Sequence, residues 1–485
     1  MKNINTTLLL ILAVLAFSCE QKKERASQPN IVVILCDDLG YGDLGAYGHP
    51  VIQTPNLDDM AAKGIQFTNF YSAAPVCSPS RVGLLTGRSP NRAGIYDFII
   101  GGSRKRPNNR DLVHLQADEE TIPARLKSAG YATCLSGKWH CSSLFNQPAK
   151  QPTPDHFGFD HWFATHNNAA PSHENPNNFV RNGQDVGEIE GFSCQIVVDE
   201  ALSWLQGQSE DKPFYLQVTF HEPHEPIASP QDLVEKYLPT AENQHQAEYF
   251  ANVENMDLAV GKLMAYLEEN HGENTLIVFT SDNGPETLNR YARAKHSYGS
   301  PGELKGMKLW TNEAGFRVPG IMYWMGESIY QGTSDAVVSS LDFMPTFCEL
   351  AGVEVPENTL DGQSFLPVLE AGTMEERDKP LLWSFYNALN DHMVAMRKGD
   401  WKILARLKME EGYLPKTLNL YPGNEDSVKN AKLVDFQLYD LSKDKGEGTD
   451  LSTEHQEKLA EMKQSLEKEY KALLEGSHIW ERDSE

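Results

Sequence analysis

The chain has 485 residues, enough for one large core and a smaller appended one. Its 40% hydrophobic and 23% charged residues are those of a globular protein, without low-complexity runs or internal repeats. A formal charge of -25 argues against a nucleic-acid partner, so any anionic substrate has to be drawn in by local cations rather than by the overall field.

The N-terminus has a basic start at Lys2, an apolar run from Leu8 to Phe17, and then Ser18-Cys19. This run is too short to cross a bilayer and reads as a secretory signal over 1–18. Leu15-Ala16-Phe17-Ser18-Cys19 also resembles a bacterial lipobox. On that reading Cys19 is lipidated and 19–29 is a tether, placing the rest in the periplasm or on the outer-membrane surface of a Gram-negative cell. A plain signal peptide that happens to contain a cysteine is the alternative.

Asn30 to Leu35 is a continuous apolar, β-branched run, the pattern of a strand buried on both faces of a parallel sheet. It ends in Cys36-Asp37-Asp38-Leu39-Gly40, and the carboxyl ends of such strands are where open α/β sheets place ligands. Two adjacent acids repel unless a divalent cation sits between them. Asn56 to Lys63 reads as a helix and Gly64 to Tyr71 as a strand leading to Cys77-Ser78-Pro79-Ser80-Arg81. Pro79 marks the first turn of a helix with Ser78 as its cap. Cys77 then lies at the helix mouth, where unpaired N–H groups favour an anion, and Arg81 shares its face.

Glu120 to Ala129 is a further helix with Gly130 as C-cap. Tyr131 to Leu135 is a strand running into Ser136-Gly137-Lys138-Trp139-His140, where an extended chain would put Lys138 and His140 on one face. Residues 141–195 have little periodicity and read as a long functional insertion. After a helix from Asp199 to Gln206, the strand Phe214 to Phe220 feeds His221-Glu222-Pro223-His224, and the helix Ala247 to Asn270 follows. A last buried strand, Thr275 to Thr280, runs into Ser281-Asp282-Asn283-Gly284. Asp37, Asp38, Asp282 and Asn283 thus offer hard oxygen donors at two strand ends, a set suited to Ca²⁺, with Mg²⁺ second.

Asp335 to Leu350 reads as a strand–helix unit and Gly352 to Gly362 as a loop. Past about residue 370 the character changes. Leu381 to Phe385, His392 to Arg397, Trp401 to Ala405 and Gln437 to Leu441 read as short antiparallel strands, followed by a charged helix from Glu454 to Leu474. The fold expected is α/β, a large mostly parallel sheet between helices over 30–370. A smaller α+β subdomain with a four-stranded antiparallel sheet would follow over 371–485.

Cys-Ser-Pro-Ser-Arg followed by Gly83-Leu84-Leu85-Thr86-Gly87-Arg88 closely resembles the signature of type I sulfatases, in the alkaline phosphatase superfamily. The resemblance runs from about residue 29 to about 455. It includes Pro223-His224-Glu225-Pro226, Lys305-Gly306-Met307-Lys308 and Glu313-Ala314-Gly315-Phe316-Arg317-Val318-Pro319, where Ala314 replaces the family's first glycine.

The resemblance implies that Cys77 is oxidised to formylglycine by a formylglycine-generating or anaerobic sulfatase-maturing enzyme. One hydroxyl of the aldehyde hydrate attacks sulfur, and deprotonation of the other expels sulfate. By the same resemblance Ca²⁺ is held by Asp37, Asp38, Asp282, Asn283 and residue 77. Arg81 orients the hydrate, Lys138 and Lys308 neutralise the sulfuryl oxygens, His140 is the base and His224 the acid. His221 is read as backing the residues that contact substrate or as structural, and Arg317 as structural or as an interface residue. With Cys19 and Cys77 so used, five of seven cysteines remain, which is no disulfide framework, although a Cys134–Cys141 or other single bridge stays open.

The substrate expected is a sulfated polysaccharide or oligosaccharide, of ulvan or carrageenan type first and glycosaminoglycan next, the acidic chain suiting a saline setting. Arg92, His166, Asn168, His173, Arg293, His296 and Trp310 lie near the motifs without a family role and are candidates for selectivity. A phosphoester or phosphonate hydrolase of the same superfamily and a non-catalytic glycan-binding relative are the alternatives. A phosphoethanolamine-transferring or sulfotransferase-like cousin is disfavoured, since no multi-span anchor precedes the domain.

Overall fold

The computed structural model describes residues 28–100, 112–144, 146–209, 212–290, 294–357 and 359–481. The segment read as a signal, Cys19, all but the last two residues of the expected tether, and Arg293 lie outside them.

Ten strands make one mixed sheet: β1 (Asn30–Cys36), β2 (Ile65–Tyr71), β3 (Ala132–Lys138), β4 (His161–Thr165), β5 (Phe179–Arg181), β6 (Gln184–Gly187), β7 (Phe214–Thr219), β8 (Thr275–Ser281), β9 (Gly320–Met325) and β10 (Gly332–Ser339). Their spatial order is β10-β2-β9-β8-β1-β7-β3-β4-β5-β6. β1 pairs in parallel with β7 on one side and β8 on the other, and this central place is why its sequence is apolar throughout. All strands but β9 and β5 run the same way.

The sheet carries a core on each face, and β1 divides itself between them with the period of two that a strand imposes. Ile31, Val33 and Leu35 enter one core with Val82 and Leu85 of helix Cys77–Thr86. Val32, Ile34 and Cys36 enter the other, under Val253, Met256 and Val260 of the long helix Gln244–His271. Register then aligns the strand ends. Cys36 stands opposite Ser281, Leu35 opposite Thr219, and Thr219 opposite Gly137. The residues that follow each strand therefore emerge at one edge.

A second, antiparallel sheet holds β11 (Leu381–Ser384), β12 (Val394–Lys398), β13 (Trp401–Met409), β14 (Gly412–Tyr413) and β15 (Lys432–Asp440). Helix Gln456–Glu475 buries Met462, Leu466 and Tyr470 with it. The four expected strands are present, and the two-residue β14 adds a hairpin at the tip of β13.

Several local expectations are corrected. Val76, not Ser78, caps helix Cys77–Thr86, with no side-chain cap bond. Ser78 is already inside the first turn, and its Oγ accepts from Ile99 N at 2.9 Å. The earlier helix spans Ile122–Ser128, capped by Ala129 rather than Gly130. Residues 141–195 hold β4, β5 and β6 and the start of helix Ser193–Leu205, strands too short to leave a readable period. The extended course past Lys138 does not persist, because His140 adopts φ 54. The six described cysteines are all buried and free, so Cys134 and Cys141 are not bridged. Among the described residues no helix is long and apolar enough to cross a membrane.

Candidate active site

The site is assembled from four strand ends and one helix mouth. β1 delivers Asp37 and Asp38, β8 delivers Asp282 and Asn283, β3 ends on Lys138, and the turn after β7 carries His224. Asp38 takes φ 65, a left-handed conformation in which aspartate is enriched among non-glycine residues. Its N–H donates to Asp282 Oδ1 at 3.3 Å, while Leu39 N–H donates to Ser281 Oγ at 3.0 Å. The two acidic loops are thus stitched together through backbone and side chain.

Cys77, first residue of its helix, places Sγ 3.3 Å from Asp37 Oδ1 and 3.9 Å from Asp38 Oδ1. Burial pushes its thiol well above the ordinary range, and Asp37 adds to that. As a thiol it stays protonated here and is a poor nucleophile. Arg81, one turn on, donates Nε to Asp282 Oδ2 at 2.8 Å and Nη1 to the Lys138 carbonyl at 3.0 Å. Its Nη2 lies 2.7 Å from Asp282 Oδ2 and 3.9 Å from Asp37 Oδ1. Lys138 Nζ meets Asp37 Oδ2 at 2.5 Å, and Lys308 Nζ meets Asp38 at 2.7 Å. Three buried carboxylates therefore face three buried cations. The local balance is neutral in a chain that is strongly acidic overall.

The donor set fits a hard divalent cation. Asn283 Nδ2 donates to Asp38 Oδ1 at 2.8 Å, while its Oδ1 is buried with no hydrogen-bond partner. An orphaned buried carbonyl oxygen beside clustered carboxylates is suited to ligate such an ion. Burial, helped by Asp37 and Asp38 and opposed by Arg81, pushes Asp282 up to about 7, and a cation held by the cluster would favour its charged form. Asp37, Asp38, Cys77 and His224 can each bring one ligand atom within 4.8 Å of the others.

Two histidines border the cluster. His140 is buried, with Nε2 2.9 Å from the Ile99 carbonyl and Nδ1 without a partner. The carbonyl can only accept, so the proton sits on Nε2 and Nδ1 is a bare acceptor. Burial, then Lys138 and His166, hold its pKa well below the ordinary histidine value. His224 places Nδ1 2.5 Å from the Glu225 carbonyl and Nε2 3.7 Å from Asp38 Oδ2. Burial and Lys308 lower it to about 4. His221 is buried behind them, its Nε2 2.7 Å from Thr165 Oγ1.

The selectivity candidates divide. His166 packs edge to face on His140, with ring centroids 5.5 Å apart, and bonds the Ser142 carbonyl. His296 lines a small cavity with Asp38, His224, Glu225 and Tyr249. Asn168 lies in the loop after β4, and its carbonyl accepts from Asn178 Nδ2 at 2.8 Å. Trp310 follows Lys308 by two residues, its Nε1 buried without a partner. His173 is fully buried, 3.6 Å from Glu222 and 3.1 Å from Asn252 Nδ2. Arg92 turns away to Asp361 at 2.9 Å and to the Ala472 carbonyl. Arg317 is bonded to Glu313 and to the Thr68 carbonyl, away from the cluster.

Sequence reading misses Tyr249, whose hydroxyl donates to the buried Asp43 at 2.9 Å under the first acidic loop. It also misses Ser281, which holds Leu39 and Asn283 in place. Both are ordinary residues in a helix and a strand, and only their distant partners give them a role.

The family model for sulfatases matches residues 29–353, and that for the C-terminal part of N-sulphoglucosamine sulphohydrolase matches 307–414. Human arylsulfatase A is 34% identical over 450 residues, covering 88% of this chain and 84% of its own. Human N-acetylgalactosamine-6-sulfatase is 32% identical over 481 residues, covering 92% and 86%. The crystal structure of Ps i-CgsB in complex with k-i-k-neocarrahexaose superposes with a TM-score of 0.75 at 26% identity, over 94% of this chain and 95% of that one.

Proposed function

The chain belongs to the sulfatase family and is a sulfuric ester hydrolase, and from that premise we propose that it removes sulfate from a sulfated polysaccharide with residue 77 as formylglycine. The observation that carries this reading is the placement of Cys77 at a helix mouth, against two carboxylates and beside three buried cations. The same pocket keeps the unmodified thiol protonated, so a different nucleophile at this position makes chemical sense. When formed, the aldehyde hydrate supplies two hydroxyls on one carbon, one to attack sulfur and one to be deprotonated.

Asp37, Asp38, Asp282 and Asn283, with residue 77, would hold Ca²⁺, or Mg²⁺ as second choice, which would add Lewis acidity. The chain's own residues do the rest. Arg81 fixes Asp282 and the Lys138 carbonyl at once, so the nucleophile helix and two strand ends keep one geometry. Lys138 and Lys308, both buried, present the positive charge that a sulfuryl group needs. His140, neutral and with Nδ1 unpartnered, is the acceptor for a proton. His224 bonds the Glu225 carbonyl through Nδ1, which leaves Nε2 to carry a proton to the leaving alcohol. An anionic substrate raises the affinity of that nitrogen for a proton.

For the polymer we keep the algal type, ulvan or carrageenan, first, and the k-i-k-neocarrahexaose of the Ps i-CgsB complex supports the carrageenan member of that pair. The relationship to N-acetylgalactosamine-6-sulfatase keeps glycosaminoglycans second. We further read 1–18 as a signal, Cys19 as a lipid attachment site and 30–370 and 371–485 as the two domains. That makes the enzyme an exported, lipid-anchored one.

The test is a peptide mass for residue 77 in protein made with a formylglycine-generating system, beside sulfate release from carrageenan, ulvan and glycosaminoglycan oligosaccharides. Conversion with release on one panel member is the expected result. Release from an aryl phosphate but from no sulfate ester would favour the phosphoester reading, and conversion without turnover the glycan-binding one.

A further inference from the structure

The geometry points to a second metal site of different chemistry beside the first, in which His245, Glu248 and His296 bind a divalent cation of the zinc class. His245 and Glu248 are three residues apart in the first two turns of helix Gln244–His271 and so share a face. His296 comes from the loop beyond β8 and reaches the same point. Its Nε2 is 3.2 Å from His245 Nδ1 and 2.5 Å from Glu248 Oε2, and the latter two atoms are 3.5 Å apart. Donor atoms at about 2.0–2.1 Å in a tetrahedron stand roughly 3.3 Å from one another, so the triangle needs little adjustment. The imidazole rings meet at 87° with centroids 4.8 Å apart, so their nitrogens converge rather than stack.

The surroundings are those of built ligands. Both oxygens of Glu225 lie 3.1 Å from His296 Nδ1, and its Oε1 also accepts from the His296 main-chain N–H at 2.6 Å. This arrangement keeps a proton on Nδ1 and turns Nε2 toward the pair, as the outer carboxylate of a metal-bound histidine does. Gln244 Nε2 holds the other oxygen of Glu248 at 2.9 Å, leaving Oε2 as the free donor. Without a metal, one proton on Nε2 has to serve both Glu248 and His245. A cation in its place satisfies all three atoms.

Two nitrogens and one carboxylate select zinc-class ions, whereas the Asp and Asn oxygens next door select Ca²⁺ or Mg²⁺. Three protein ligands leave a fourth position for water. Since His296 and Glu225 also line the cavity with His224 and Asp38, the ion would fasten that wall to the helix.

The experiment uses the full chain in saturating Ca²⁺, titrated with Zn²⁺ by calorimetry and with Co²⁺ by visible absorption. One equivalent of Zn²⁺ beyond the calcium and the d–d bands of four-coordinate cobalt are expected. Both should be lost in His245→Ala and His296→Ala, and Glu225→Gln should weaken Zn²⁺ by about 10–100-fold. His245 is half exposed on a helix turn, so its variant folds even where His296→Ala does not. Zinc stoichiometry and cobalt bands unchanged in His245→Ala/Glu248→Gln would overturn the assignment, as would the absence of any zinc beyond the calcium.

Discussion

Arg81 joins the ends of β8 and β3 because a guanidinium offers several donors in one plane. Lysine in its place keeps the charge but cannot reach Asp282 and the Lys138 carbonyl together. Arg81→Lys is therefore expected to lower kcat/KM by about 10²-fold, by analogy with removing one donor from a preorganised site, with little change in the thermal midpoint. Equal loss of activity and stability would make Arg81 a scaffold residue only. His140 gives a different readout. Burial and then Lys138 hold it neutral, so the proposed base should stay competent below the ordinary histidine value of about 6.5. The acid limb of kcat/KM against pH is expected below that value. A limb at or above it would assign the ionisation to another group. Both residues are legible in the sequence because they sit in short motifs whose spacing is itself the signal. His245 and Glu248 are not, since their partner His296 lies some fifty residues on and no local pattern announces it.

The strand ends gather these motifs, and tight loops keep them there. Gly284 follows Asn283 and donates its N–H to the Gly315 carbonyl at 3.0 Å. A Cβ at this position would lie 1.6 Å from the Ala314 carbonyl, and backbone cannot yield as a flexible side chain can. Gly284→Ala is expected to destabilise by about 1–3 kcal/mol and to move Asn283 away from Asp38. Calcium-dependent thermal stabilisation should shrink with it, while a variant that keeps the full calcium shift would free the loop from this role. The inner strands announce themselves: β1, β7 and β8 are continuous apolar runs because neighbours cover both faces. β9 does not, although it lies between β2 and β8. It runs antiparallel there, follows Pro319 directly and contains two only partly buried aromatic residues. β5 and β6, at three and four residues, are shorter than any period that could betray them.

The second sheet is more than an appendage, because the segments that follow its first strand buttress the loops of the proposed site. Phe385 and Ala388 pack on Val76, the residue before Cys77, and on Leu309, the residue after Lys308. Asn390 bonds Asn312 at 2.8 Å, and Leu389 N–H bonds the Leu309 carbonyl at 2.9 Å. Nothing local foretells this, since each contact spans most of a domain in sequence. At its centre Lys402 of β13 is wholly buried between two carboxylates, 2.9 Å from Glu313 and 2.9 Å from Glu447. Burial would raise Glu313, but Lys402 and Arg317 bring it down to about 2. Burial raises Glu447 despite the same lysine. One cation thus serves two acids, and its removal would leave Glu313 charged in the interior with Arg317, Arg397 and the Tyr71 hydroxyl to compensate it. Lys402→Met is expected to cost about 3–5 kcal/mol, read as a lowered midpoint in chemical denaturation. Adding Glu447→Gln should recover part of that loss by removing one of the stranded acids. A single variant as stable as the parent would mean that the two sheets are held by apolar packing alone, and that the ion network only fixes their register.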